Sequence, residues 1–235
     1  MNPKSAKILF FDTGPIITLV MSRLIWILPE LKKKYGGKFY ITPAVKRELI
    51  TRPMKIKRFE FEALQALKLI REGVLEIYDQ VPQKMVNEFT TLANNTFKIK
   101  NKTLEIIQSG EMESIACALE TNADAIVMDE RTLRLFVENN KEMEKLLEIR
   151  FKKDVTVDTA KLNQFSEKLK GIKIIRSLEL VGVAYKMGLL DSYIPKQKGG
   201  RDVLVDSILW ATKYNGAAAT EQEITEIKTF LLKNK

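Results

Sequence analysis

Ile8-Leu9-Phe10-Phe11-Asp12-Thr13-Gly14-Pro15 and, far along the chain, Ala125-Ile126-Val127-Met128-Asp129 share one form, an apolar run closed by aspartate. Apolar runs without alternation read as strands buried on both faces, the mark of a parallel sheet in an α/β protein. An acid at the carboxyl end of such a strand projects into the crevice where open α/β sheets bind ligands. If the two strands are neighbours, Asp12 and Asp129 share that crevice.

Outward from these runs, strand and helix patterns alternate. Residues 8–12 are the first expected strand. Thr13-Gly14-Pro15 turns the chain into a helix to about residue 28, with Pro15 in a first turn where its missing N–H costs nothing. Tyr35-Gly36-Gly37 stops the next helix, Phe39 to Thr42 forms a strand, and Pro43 opens a short helix from Ala44 to Ile50. Helices are predicted at about 56–71 and 83–95 around a short strand from Leu75 to Tyr78, then at 111–121, with strand 125–129 and a helix to about 149. Residues 154–157 and 172–176 supply two further candidate strands. From 178 onward the pattern is helical, broken by the loop Pro195 to Gly200. The expected architecture is a three-layer α/β/α fold around a central parallel sheet, over 1–150, with a largely helical extension over 151–235 packed on the same domain.

Composition narrows the chemistry. The chain has 235 residues, 45% of them hydrophobic and 29% charged, which is ordinary globular usage. The opening residues show no signal-peptide pattern, and the apolar stretch from Ile16 to Leu28 is too short and too polar to span a bilayer. One cysteine, Cys117, permits no internal disulfide and fits a reducing cytoplasm; it reads as a small buried residue. The chain contains no histidine, which removes imidazole bases, the Ser-His-Asp triad and histidine-based zinc sites. Hydrolysis would fall to carboxylates, lysine or a hard cation bound through oxygen.

The net charge is +9, and it is concentrated. Thirteen lysines and arginines lie at or before Arg58, against only Asp12, Glu30 and Glu48. A surface of that kind suits an anionic partner, with nucleic acid first; a generally lysine-rich composition with solvated side chains is the plainer alternative.

Glu48 and Glu111 extend the pair of aspartates. On helix 111–121, Glu111 shares a stripe with Ile115, Ala118, Leu119 and Asn122, so it crowns the buried face at the helix's amino end. Glu113 lies about 200° round the helix, on another face. Glu48 reaches the crevice if helix 44–50 packs beside the first strand. Each acid also has a purely structural reading: Asp12 and Asp129 as helix caps, Glu111 and Glu113 as partners of the helix dipole, Glu48 as a solvated side chain. Together, four carboxylates at strand and helix ends call for a divalent cation, because like charges resist ionising side by side. Other groups weigh less. Asp202 and Asp206 read as a solvated face, Glu130 as a first-turn acid near Asp129, and Arg131 and Arg134 as phosphate contacts or salt-bridge partners. Trp26 and Trp210 read as core or interface anchors.

The order of these segments resembles the PIN-domain nucleases. Phe11-Asp12-Thr13-Gly14-Pro15-Ile16-Ile17-Thr18-Leu19 is similar to the family's first motif. Tyr40 to Leu49 (Tyr-Ile-Thr-Pro-Ala-Val-Lys-Arg-Glu-Leu) resembles the second, with Glu48 as its acid. Gly110-Glu111-Met112-Glu113-Ser114 looks like the third, in the form of a branch with Gly-Glu-x-Glu where aspartate is commoner. Ala125 to Asp129 matches the fourth. The likeness covers roughly residues 6–150. The eighteen positions from Glu111 to Asp129 match the usual pattern of that family, so the resemblance favours Glu111 over Glu113 as the third acid, with Glu113 the second choice. The resemblance implies a Mg²⁺- or Mn²⁺-dependent endoribonuclease, with Asp12, Glu111 and Asp129 as metal ligands and Glu48 direct or through water. Thr13 would hydrogen-bond the attacking water or a carboxylate. It also implies RNA as substrate and an antitoxin or RNA-processing partner; a homodimer is read separately, from the helical tail as a candidate dimerisation element. The alternative is a non-catalytic RNA-binding or scaffold protein that keeps the fold, for which Glu111 in place of aspartate is the motive.

Overall fold

The structure, a computed structural model, describes residues 7–100, 102–104, 109–131, 135–136 and 140–233. Strand β1 (Ile8–Phe11) leads through Asp12 into helix α1 (Thr13–Met21). The expected helix to residue 28 is interrupted: the chain breaks at Ser22, Arg23 takes a left-handed φ of 58°, and α2 (Ile27–Tyr35) starts afresh. Gly36 ends α2 in the left-handed conformation that glycine adopts without strain. Strand β2 (Lys38–Ile41) follows, then α3 (Pro43–Lys46), which passes into a π-helical turn over Arg47–Thr51. After two short 3₁₀ turns come α4 (Glu60–Arg71), β3 (Glu76–Ile77) and α5 (Gln83–Asn94).

A small hairpin, β4 (Phe97–Ile99) and β5 (Lys102–Thr103), precedes α6 (Ser109–Glu120) and β6 (Ala125–Val127). The chain then runs through α7 (Asn140–Phe151), β7 (Thr156–Val157), α8 (Thr159–Lys168) and β8 (Ile174–Ile175). It finishes with α9 (Ser177–Lys186), α10 (Gly200–Tyr214) and α11 (Glu221–Lys233).

The central sheet has five parallel strands in the order β3-β2-β1-β6-β8. β1 is its middle strand, and Leu9 pairs with Ala125 and Phe11 with Val127. The two candidate strands of the extension part company: β8 joins the central sheet, whereas β7 pairs antiparallel with β4 in a separate three-stranded sheet. That hairpin sheet gave no period-2 signal long enough to be seen beforehand.

Alternate residues of a strand face opposite sides, and here they divide the core in two. Leu9, Phe11, Ala125 and Val127 pack into one cluster with α1, α2 and α4; Phe10, Ile126 and Met128 pack into the other with α5, α6, α7 and α8. The first layer is completed by α9, α10 and α11. From α9 alone Leu178, Leu180, Val181, Ala184 and Tyr185 are buried there. At ~2 kcal/mol for each large side chain, that burial rivals the ~10 kcal/mol net stability of a whole domain. Detaching α9 from the sheet would therefore forfeit a large part of the fold's stability. Among the described residues no helix is long and apolar enough to cross a membrane.

Candidate active site

β1 and β6 end side by side, and the Asp12 N–H donates to the Val127 carbonyl at 2.9 Å, carrying the ladder one step past the strand. Asp12 is then the extended residue that caps α1, accepting from the Gly14 N–H at 3.4 Å. Gly14 packs against both acids: a Cβ there would stand in ordinary contact, 3.5 Å from Asp129 Cβ and 3.7 Å from Asp12 Oδ2. Both aspartates are buried, at 7% and 4% exposure. The capping role read from the sequence thus coexists, for Asp12, with a place in the crevice.

Asp129 is held from two directions. Its Oδ1 accepts from the Ser177 N–H at 2.8 Å and the Ser177 hydroxyl at 2.9 Å, and its Oδ2 accepts from the Thr18 hydroxyl at 2.9 Å. Thr18 and Ser177 are both buried, and sequence reasoning missed both. Their signals were slight: a hydroxyl inside the apolar run of α1, and a serine opening the apolar α9.

Glu48 comes to the crevice on the π turn. Thr42 caps α3 by accepting from the Val45 N–H at 3.3 Å, with Pro43 at the first helical position. The wider π turn then carries Glu48, whose Oε2 accepts from the Thr13 hydroxyl at 2.7 Å. Gly110 makes room for the other oxygen, since a Cβ there would lie 3.0 Å from Glu48 Oε1.

Glu113 does something else. Its carboxylate accepts from the Ala44 N–H at 3.0 Å and meets Arg47 at 3.5 Å, so it is spent on anchoring the start of α3. Glu111, one half-turn away on α6, borders the crevice instead.

The resulting cleft, about 390 Å³, is bordered by Asp12, Thr13, Glu48, Glu111, Asp129 and Glu130, with Arg131, Gly14, Gly216 and Ala218 closing its rim. Gly216 and Ala218 come from the loop between α10 and α11, which the sequence gave no reason to place here. Gly216 has φ 140°, and a Cβ on it would stand 2.7 Å from the Thr18 hydroxyl that holds Asp129. A larger groove of about 650 Å³ adjoins through Arg131, but the carboxylate cluster lies in the smaller cleft.

Electrostatically the cleft is short of positive charge. Burial pushes the Asp12 carboxyl up to about 6, the Thr13 and Gly14 N–H groups pull it partly back, and Glu48 and Asp129 add repulsion. Burial also raises Asp129, against the opposing hydrogen bonds from Ser177 and Thr18. Among the described residues no three acids are drawn into a finished coordination sphere. The donor set nonetheless suits a hard cation, being all oxygen, buried at Asp12 and Asp129, and mutually repelling.

Residues outside the cleft take plain roles. Asp202 and Asp206 are not left to solvent alone: both pair with Lys228, at 3.1 and 2.9 Å. Cys117 is fully buried and its thiol is pushed up to about 12, chiefly by burial, so it stays protonated. Asn122 departs from the predicted stripe, lying exposed beyond the end of α6 with φ 49°. Trp26 is 39% exposed at the start of α2, while Trp210 stacks on Tyr214 at 5.4 Å. Arg134 lies outside the described residues.

A search of curated proteins found no match. Among solved structures, VapBC2 from Rickettsia felis, crystallised bound to a DNA fragment from its promoter, is similar over 55% of this chain and 90% of that one, at 19% identity and a TM-score of 0.41. That likeness is too distant to carry an argument. The family comparison is decisive, because a PIN-domain model matches residues 8–141, the span from β1 through all four acids. The chain belongs to the PIN-domain family.

Proposed function

We propose that the protein is a metal-dependent endoribonuclease, with Asp12, Glu48, Glu111 and Asp129 as the residues that would hold Mg²⁺ or Mn²⁺. PIN domains are generally nucleases that use divalent ions. The observation that carries the reading is the meeting of these four acids at one open cleft at the sheet's carboxyl end. When bound, such ions acidify a water and neutralise charge that develops on the phosphate.

The chain's own groups prepare the site. Ser177 and Thr18 fix the Asp129 carboxylate, with both lone pairs of Oδ1 taken by Ser177 and one of Oδ2 left open beside the Thr18 bond. Thr13 commits its proton to Glu48, which orients that carboxylate and leaves the Thr13 oxygen able to accept from the attacking water. Arg131, on the rim, is the cation placed to meet a phosphate. The exposed lysines and arginines of the first third would hold the RNA backbone, so binding weakens as salt rises. Both roles implied by the resemblance, a toxin restrained by an antitoxin and an RNA-processing enzyme, would use this same cleft.

The test is cleavage of a mixed RNA pool in Mn²⁺ by wild type, Asp12→Asn and Asp129→Asn purified identically. Cleavage that disappears in both variants and in EDTA supports the reading. Equal cleavage by all three, or none by wild type with RNA binding indifferent to EDTA, overturns it, the latter in favour of a binding module.

A further inference from the structure

Beside the carboxylate cleft lies a second cavity, about 400 Å³, with apolar walls that include Met21, Leu49, Pro53 and Phe59. Glu48 borders both. A further acid, Glu62, lines the apolar cavity, and its Oε2 is buried with no hydrogen-bond partner. A carboxylate oxygen left unsatisfied in such surroundings is costly, so it calls for an N–H donor from outside the chain.

The rim indicates which kind of molecule brings that donor. Arg52, Lys55, Lys57 and Arg58, neighbours in sequence of the lining residues Pro53 and Phe59, are exposed, and Glu60 is taken up by Lys57 at 3.0 Å. Phe59 and Phe61 are 40% and 70% exposed, and the Arg58 guanidinium sits 5.4 Å from the Phe59 ring centre. Cations interleaved with open aromatic faces suit a polyanion whose rings can stack, which is a single nucleic-acid strand. The same cations repel a basic peptide, the other source of an N–H donor for Glu62.

We propose that this cavity receives an unpaired nucleobase carrying an exocyclic amino group, next to the phosphate at the carboxylate cleft. The inference rests on RNA being the substrate, as argued above. Phe59 offers the stacking face and Glu62 Oε2 accepts the amino N–H. Adenine, cytosine and guanine carry that group; uracil has only its ring N3–H, flanked by two carbonyl oxygens that a carboxylate repels, and is the base the cavity disfavours.

The test is fluorescence anisotropy in EDTA, where no turnover occurs, with short labelled oligouridylates carrying one central adenosine, cytidine or guanosine, against uridine throughout. Wild type is expected to bind the best substituted strand about tenfold more tightly than the all-uridine strand. Glu62→Leu, which is close to the side chain's size and offers no oxygen acceptor, should erase that preference without lowering the melting temperature. Phe59→Ala should weaken every strand about tenfold. Equal binding of all strands by wild type, a preference that survives in Glu62→Leu, or a short arginine peptide that binds wild type but not Glu62→Leu, would each overturn the proposal. Base preference without cleavage in Mn²⁺ counts against the nuclease reading alone. Cleavage without base preference counts against the cavity alone.

Discussion

Replacing Asp12 by asparagine should make the metal-free protein more stable at pH 8. The Asp12 carboxyl ionises at about 6 in the folded chain, against an ordinary 3.8, with burial the largest cause. A raised carboxyl binds its proton more tightly folded than unfolded. Its contribution to stability is therefore whole below pH 3.8, lost as pH rises to about 6, and then a constant penalty. That difference corresponds to roughly 3 kcal/mol at pH 8. Asparagine keeps the size and an oxygen for the Gly14 N–H, but carries no charge. In a protein of this length the gain should appear as roughly 6–12 °C in melting temperature. The assay is thermal and urea unfolding of wild type and Asp12→Asn in EDTA, at pH 4 and pH 8. At pH 4 wild-type Asp12 is mostly neutral and the difference should largely vanish. A variant less stable than wild type at pH 8, or an advantage just as large at pH 4, would refute the reasoning. Added Mg²⁺ should narrow the gap at pH 8, because only wild type keeps the full carboxylate set.

Substitutions at four other positions separate holding from chemistry. Glu113→Gln should cost about 1–3 kcal/mol in urea unfolding, since it weakens the acceptor for the Ala44 N–H and the pair with Arg47. Glu111→Gln should leave stability within about 1 kcal/mol and abolish cleavage; the reverse pattern would reassign the third acid. Gly110→Ala puts a methyl 3.0 Å from Glu48 Oε1; cleavage should fall by at least about tenfold with little change in melting temperature. Ser177→Ala removes a buried hydroxyl from Asp129 while keeping the backbone bond. It should cost ~1 kcal/mol and weaken Mn²⁺ binding in calorimetry, whereas Ser177→Thr should restore part of the affinity.

The strands that carry Asp12 and Asp129 were legible because four apolar residues in a row leave a chain little choice but a doubly covered sheet. Their neighbourhood followed from β-α alternation, whereas the preference for Glu111 over Glu113 rested on the family's usual spacing to Asp129. Helical phase was a poor guide to burial here: Glu113 is buried and engaged at the start of α3, and Glu111 is half-buried. Legibility failed where tertiary context decides. Nothing local marks the π turn that carries Glu48, nor the break at Arg23, where helical propensity continued but the chain bent. The partners of Asp129 were also hidden. Ser177 lies 48 residues away in sequence and Thr18 lies 111 away, and a lone hydroxyl says nothing about what it will hold. Gly216 was an unremarked loop glycine until its approach to Thr18 gave it a reason.

The tail's place against Asp129 has a temporal side as well. A ribosome delivers β1 first, yet its neighbour β6 comes more than a hundred residues later and β8 nearly fifty after that. The middle strand of the sheet must wait for the partner on one flank, and loop closure of that length slows assembly. Asp129 meets the Ser177 donors only once β8 and the start of α9 have emerged, and the cleft gains its Gly216 wall last. The nascent chain thus carries all four acids while the parts that hold and enclose them are still being made.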